Sequence, residues 1–163
     1  GGGIGSDNRP LRGGKATVFE GGVRVPAAAR WPSGGVRGGR KVTCTMGFID
    51  VLPTLMDLCG LERQEGPPLN GISLVPLLKG EGRLNREAIY WHYPHYHGSG
   101  NRPSGAVRAG DYKLIEWYEN NSVELYNLKE DIGEKHDLAD QMPEKAAELL
   151  RKLKLFIGEL RML

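Results

Sequence analysis

Ala106-Val107-Arg108-Ala109-Gly110-Asp111-Tyr112-Lys113-Leu114-Ile115-Glu116-Trp117 reads as two strands folded back on each other, with the turn at Ala109-Gly110-Asp111. Working outward, Val123-Glu124-Leu125-Tyr126 follows a second turn at Glu119-Asn120-Asn121, and Ala88-Ile89-Tyr90-Trp91-His92 precedes the pair across a His- and Gly-rich loop at 93–104. From Pro143 the spacing turns helical: Ala146, Leu149, Leu150, Leu153 and Ile157 share one face, with lysine and arginine opposite. Pro143 suits a first helical turn, where its missing N–H is no loss. The second half is therefore expected to be an α+β unit, a four-stranded antiparallel sheet with a terminal helix.

The first half reads differently. Residues 1–14 are a polar, Gly-rich loop, Val23 to Trp31 suits a strand or a buried extended segment, and 32–40 reads as an exposed loop. Phe48, Val51, Leu52, Leu55 and Leu58 fall on one face of a helix that Gly60 should cap, with a kink or a start near Pro53. Ser73 to Leu78 reads as one short helical turn with Ser73 as its N-cap. This half lacks strand–helix partners of its own and looks like a piece of something larger.

Composition excludes several classes. Over 163 residues, 22 Lys+Arg against 20 Asp+Glu leave a net charge of +2, which does not mark a nucleic-acid binder. Apolar residues at 39% allow a core, two cysteines rule out a disulfide scaffold, and no apolar run approaches a membrane span. The 24 glycines are the outlier, about twice the usual share, and mark backbone that turns sharply or approaches something closely. Gly1-Gly2-Gly3 opens the chain without a methionine and without the basic and apolar stretches of a signal peptide. We read it as a cut end, which leaves the compartment undetermined.

The strongest chemical signal is Pro10-Leu11-Arg12-Gly13-Gly14-Lys15, followed by Phe19-Glu20-Gly21-Gly22-Val23-Arg24-Val25-Pro26. Two glycines before a lysine permit a backbone path that aims an ammonium at an oxyanion such as sulfate or phosphate. The spacing is not that of a Walker A loop, and Ala16 follows the lysine. On chemistry alone, an ordinary surface lysine on a turn is the favoured reading of Lys15, since lysines after glycines are common. His95 and His97 have two readings: they hydrogen-bond a sugar at an active-site mouth, or they belong to an aromatic-rich surface loop. Cys44 and Cys59 read as small apolar core residues, and Trp117, Tyr118 and Tyr126 as cross-strand packing. Asn120-Asn121-Ser122 is a formal glycosylation sequon, expected to be unused.

The run Asn8 to Pro32 closely resembles the type I, formylglycine-dependent sulfatases. The resemblance continues through Ile49-Asp50-Val51-Leu52-Pro53-Thr54-Leu55, Asn70-Gly71-Ile72-Ser73-Leu74, Ala106 to Leu114, Glu124-Leu125-Tyr126-Asn127-Leu128, Gly133-Glu134 and Asp137-Leu138-Ala139. Within the family it is nearest the arylsulfatase A and N-acetylgalactosamine-6-sulfatase group. The resemblance implies an α/β, alkaline-phosphatase-like fold, present in part, with the small α+β subdomain at its C-terminus. Residues 1–83 would close the catalytic domain and 84–163 would form the subdomain. It implies a sulfuric ester hydrolase acting on a sulfated carbohydrate or aryl sulfate, with a calcium ion and a formylglycine nucleophile, in a periplasmic, secreted or lysosomal setting. Lys15 matches the family's sulfate-contacting lysine, with Glu20 and Arg24 buttressing its loop as an ion pair.

The family's nucleophile motif and N-terminal metal carboxylates have no counterpart here: Cys59-Gly60-Leu61-Glu62-Arg63 has leucine where that motif needs proline. Asp7-Asn8 is read as a turn or capping pair rather than the family's Asp-Asn calcium pair. The expectation is a C-terminal fragment, inactive alone, whose N-terminal catalytic half is missing, with no nucleic-acid or membrane partner. Two rivals stand beside it: a phosphate-ester or phosphonate hydrolase of the same superfamily, and a free-standing, non-catalytic binding module.

Overall fold

The computed structural model describes residues 7–62, 66, 69–82, 84–98 and 100–160. Packing divides the chain into two compact units, one joining residues up to 25 with those from 87 onward, the other running from Pro26 to Arg86.

The first unit is built on four antiparallel strands in sequence order: β1 (Ile89–Tyr93), β2 (Ser104–Ala109), β3 (Tyr112–Trp117) and β4 (Ser122–Asn127). Ala109 faces Tyr112, so Gly110 and Asp111 alone make the β2–β3 turn, at the place the sequence predicts but with Ala109 in the strand. Trp117 faces Ser122, and Asn121 takes a left-handed φ of +55° in the connection between them. Because side chains alternate across a strand, the two faces carry different sets. Val107, Leu114 and Leu125 meet Ala146, Leu149, Leu153 and Ile157 of a long C-terminal helix, Pro143–Leu160. Ala106, Ile115, Trp117 and Tyr126 form the opposite face, where Val18 joins them in the core and Phe19 packs against it. The sheet is thus covered on both sides, by a helix on one and by the N-terminal segment on the other. The segment bearing Lys15 therefore packs with the sheet.

That segment contains α1 (Glu20–Val23). The strand or buried segment expected from Val23 to Trp31 is not there. Val25 is 64% exposed, and Ala27, Ala28 and Ala29 are exposed. Its end, Trp31, exchanges both backbone hydrogen bonds with Val36 in an isolated antiparallel bridge, but no strand of the described residues runs beside Val25 to Ala29, whose side chains stay exposed.

In the second unit, a 3-10 turn (Phe48–Asp50) leads into α2 (Val51–Leu58). The helix starts close to Pro53, as expected. It ends where expected too: Gly60 takes φ +63°, Gly60 N–H donates to Asp57 O at 3.2 Å and Leu61 N–H to Met56 O at 2.9 Å. Its apolar stripe, however, points outward: Phe48 is 91% exposed, Leu52 54% and Leu55 53%. Cys59, expected in a core, is exposed because it closes this uncovered helix, while Cys44 is half-buried. Besides Val36, Leu74 and Val75, the unit buries two polar side chains, Asp50 and Thr54. Asp50 is fully buried, accepts the N–H groups of Gly47 at 2.8 Å and Ile72 at 2.9 Å, and pairs with Arg86. Thr54 Oγ1 donates to Asp50 O and accepts Leu74 N–H at 2.9 Å. The short helix α3 (Val75–Lys79) follows, with Leu74 rather than Ser73 at its N-cap position. Ser73 Oγ nevertheless accepts the Val75 N–H at 3.2 Å.

Candidate functional site

Lys15 sits at the corner of a tight turn. Thr17 N–H and Thr17 Oγ1 both donate to Gly14 O, at 3.1 and 2.8 Å. Gly13 has φ +73° and Ala16 φ +67°, so the backbone enters the left-handed region on both sides of Lys15. A non-glycine residue held there costs energy and persists only where its surroundings enforce it. The Lys15 side chain is exposed and makes no hydrogen bond or ion pair among the described residues.

The short helix α1 packs directly beneath this turn. Gly21 N–H donates to Arg12 O at 2.7 Å. A Cβ at Gly21 would lie 2.3 Å from Gly13 O, and one at Gly22 would lie 2.1 Å from Thr17 O. The paired glycines of Phe19-Glu20-Gly21-Gly22 are therefore there so that helix backbone can touch loop backbone.

Below the backbone lies a buried charge cluster. Lys113 is fully buried, its Nζ 3.1 Å from Glu20 Oε1 and 2.9 Å from Glu134 Oε1. Arg108 Nη1 and Arg24 Nη1 lie 3.6 and 3.8 Å from Glu20 Oε2, so the expected Glu20–Arg24 contact is the outer edge of a larger set. Glu134 is fully buried; its Oε2 accepts the Glu20 N–H at 2.7 Å. Burial pushes the Glu134 carboxyl above its ordinary value, and the Lys113 ammonium pulls it back. Arg12 anchors the loop's other end, donating to Tyr126 OH at 2.8 Å and Glu134 O at 3.0 Å, with its guanidinium 3.9 Å above the Phe19 ring. Burial first, and then the carboxylate of Glu124, pushes the Tyr126 hydroxyl well above its usual range.

The sequence reading missed Lys113, Arg108 and Glu134. One signal was available: Lys113 stands inside the apolar run Tyr112 to Trp117, where a buried position demands a partner. Nothing local in the sequence identifies that partner as Glu134.

His95 and His97 are both exposed on the β1–β2 connection. The Tyr93 and His95 rings meet edge-on at 5.8 Å, and His97 N–H donates to Asn101 O at 3.1 Å. Tyr96 OH and Arg102 Nη1 hold this loop to Glu119, at 2.9 and 3.2 Å. Trp117 supports both regions: its ring lies 5.9 Å from Phe19, and the Arg102 guanidinium stands 4.4 Å from its centroid.

Among the described residues, Asp7 and Asn8 are engaged in a local turn rather than set as calcium ligands. The Asp7 carboxylate is taken by the Arg9 guanidinium, with Nη2 at 2.6 Å, which lowers its pKa below the usual carboxylate value. Leu11 N–H donates to Asn8 O at 2.9 Å and Asn8 Nδ2 to Gly13 O at 3.1 Å, a turn arrangement; Ser6 lies outside the described residues. Among the described residues no group of three or more His, Cys, Asp or Glu could hold a metal, and no helix is long and apolar enough to cross a membrane.

Residues 14–162 match the family described as N-sulphoglucosamine sulphohydrolase, C-terminal. The chain belongs to this sulfatase family. It is 34% identical over 147 residues to a sulfatase of Formosa agariphila, covering 85% of this chain and 27% of that protein. With arylsulfatase A of Bos taurus it shares 36% identity over 168 residues, 88% of this chain and 32% of that one. The structure of Ps i-CgsB in complex with k-i-k-neocarrahexaose superposes with TM-score 0.80 at 27% identity, over 93% of this chain and 33% of that one. The sulfatase fold and its C-terminal sheet-and-helix region are thus shared. This sulfatase chain spans roughly a third or less of the length of these relatives.

Proposed function

We propose that this chain is the C-terminal part of a longer enzyme that hydrolyses sulfate esters of sugars or aryl alcohols, and that Lys15 grips the sulfate. The observation that carries this reading is an exposed ammonium, unpaired among the described residues, on a backbone turn anchored at both ends by a buried network. A cation held in that way needs no rearrangement when charge builds on the sulfuryl oxygens in the transition state, the condition for strong electrostatic stabilisation. The calcium ligands and the formylglycine nucleophile are placed by this reading in a preceding part of the protein. His95 and His97 are proposed to meet sugar hydroxyls, in keeping with the oligosaccharide bound by Ps i-CgsB.

The outward apolar stripe of α2 supports the same reading. Phe48, Leu52 and Leu55, together with Ile49, Val51 and Leu69, line an apolar depression. Exposure of this kind calls for a covering surface, and the preceding catalytic part of a sulfatase would supply one.

The test is a side-by-side assay of the 163-residue chain and the longer protein on a chromogenic aryl sulfate with calcium. The longer protein is expected to release the chromophore and the chain alone to release none. Turnover by the chain alone contradicts the reading; so does a longer protein active on the aryl phosphate or phosphonate but not on the sulfate.

A further inference from the structure

Glu134 touches both ends of the segment that carries Lys15. Its backbone oxygen takes the Arg12 guanidinium at 3.0 Å, three residues before Lys15, and its side-chain Oε2 takes the Glu20 N–H at 2.7 Å, five residues after it. The Gly21 N–H to Arg12 O bond of 2.7 Å closes the same segment on itself. Glu134 is fully buried and has a left-handed φ of +51°, a conformation glutamate avoids unless its contacts compel it. The compelling contacts are visible. Lys113 Nζ sits 2.9 Å from Oε1, and Asp131 Oδ2 accepts the Lys135 N–H at 2.7 Å on the following residue.

We infer that Glu134 is the positioning residue of the sulfate-gripping lysine: it fixes the backbone on both sides of Lys15 and so sets where the ammonium points. This rests on the reading of Lys15 as the sulfate contact. Glutamine at this position has the same shape but presents one oxygen and one NH2 group. The oxygen can face the Glu20 N–H only if the NH2 group faces the Lys113 ammonium, so turning the amide to satisfy Lys113 gives up the Glu20 tie, while the Arg12 tie to the backbone oxygen stays. The loop is then free to shift, and misplacement by about 1 Å costs on the order of 100-fold in rate.

The experiment is a double-mutant cycle in the longer enzyme, with kcat and KM measured on an aryl sulfate. Lys15→Ala is expected to lower kcat/KM by about 100-fold or more. Glu134→Gln is expected to lower it by about 10- to 100-fold, mostly in kcat. The double variant is expected to match Lys15→Ala within about threefold, because a loop without its lysine has nothing left to aim. If the two losses multiply instead, Glu134 acts elsewhere and the inference is overturned. A Lys15→Ala enzyme as active as the parent overturns the sulfate-contact reading, and the inference falls with it. Should Glu134→Gln fail to fold, Arg12→Gln enters the same cycle, since it severs the other tie and lies at an exposed position; multiplying losses there overturn the inference equally.

Discussion

Lys15→Ala in the longer sulfatase is expected to cut kcat/KM for an aryl sulfate by about 100- to 1,000-fold, with little change in melting temperature. The side chain is exposed and takes part in no hydrogen bond or ion pair among the described residues, so its removal leaves no buried group stranded. The loss would then be one of transition-state stabilisation rather than folding. Lys15→Arg sharpens the point. It keeps the charge but replaces a compact ammonium by a planar fork, and so is expected to recover only part of the loss. Steady-state kinetics beside a thermal melt decide it. A drop below about tenfold for the alanine variant would show that the ammonium does not face the reacting sulfate.

Lys113→Met is expected to cost about 3–5 kcal/mol of stability in the sheet-bearing unit, with methionine matching the lysine stem in length. Breaking a buried pair leaves an uncompensated charge, and here two carboxylates are affected. Glu20 keeps Arg108 at 3.6 Å and Arg24 at 3.8 Å, but Lys113 is the cation paired with Glu134 among the described residues. The pH dependence has a definite sign. Burial already raises the Glu134 carboxyl above 4.5, and losing the downward pull of Lys113 raises it further. Between the ordinary value and the raised one, the folded variant holds a proton that the unfolded chain has released. Its stability therefore falls as pH rises through that window and recovers as pH drops below it. Urea unfolding of the Trp31→Phe chain measures this, since the remaining tryptophans, Trp91 and Trp117, both lie on the sheet. Equal stability losses at pH 5 and pH 8 would contradict the assigned pairing.

The parts of the fold legible in the sequence are those set by local periodicity. Alternation along β2, β3 and β4 and the apolar stripe from Ala146 to Ile157 each specify an element and the face it buries, and the structure places both as expected. The run Val23 to Trp31 shows the limit of that logic. Its composition suits a buried strand, yet burial needs a neighbour, and no sequence pattern announces whether one is at hand. The α2 stripe makes the same point, since periodicity sets which residues share a face but not what covers it. The Lys15 turn was legible through its glycines and its family resemblance. The cluster that holds it was not: Glu20, Lys113 and Glu134 are separated by 93 residues in one pairing and 114 in another. Pairings over such distances follow from the tertiary fold and leave no local pattern.

The most direct measurement is a crystal structure of the longer sulfatase with sulfate or a slowly hydrolysed sulfate ester in its active site. The account predicts Lys15 Nζ within about 2.7–3.2 Å of a sulfate oxygen, with Glu134 still bridging Arg12 and the Glu20 N–H. A sulfate bound at the catalytic centre with the Lys15 ammonium turned away into solvent would contradict it.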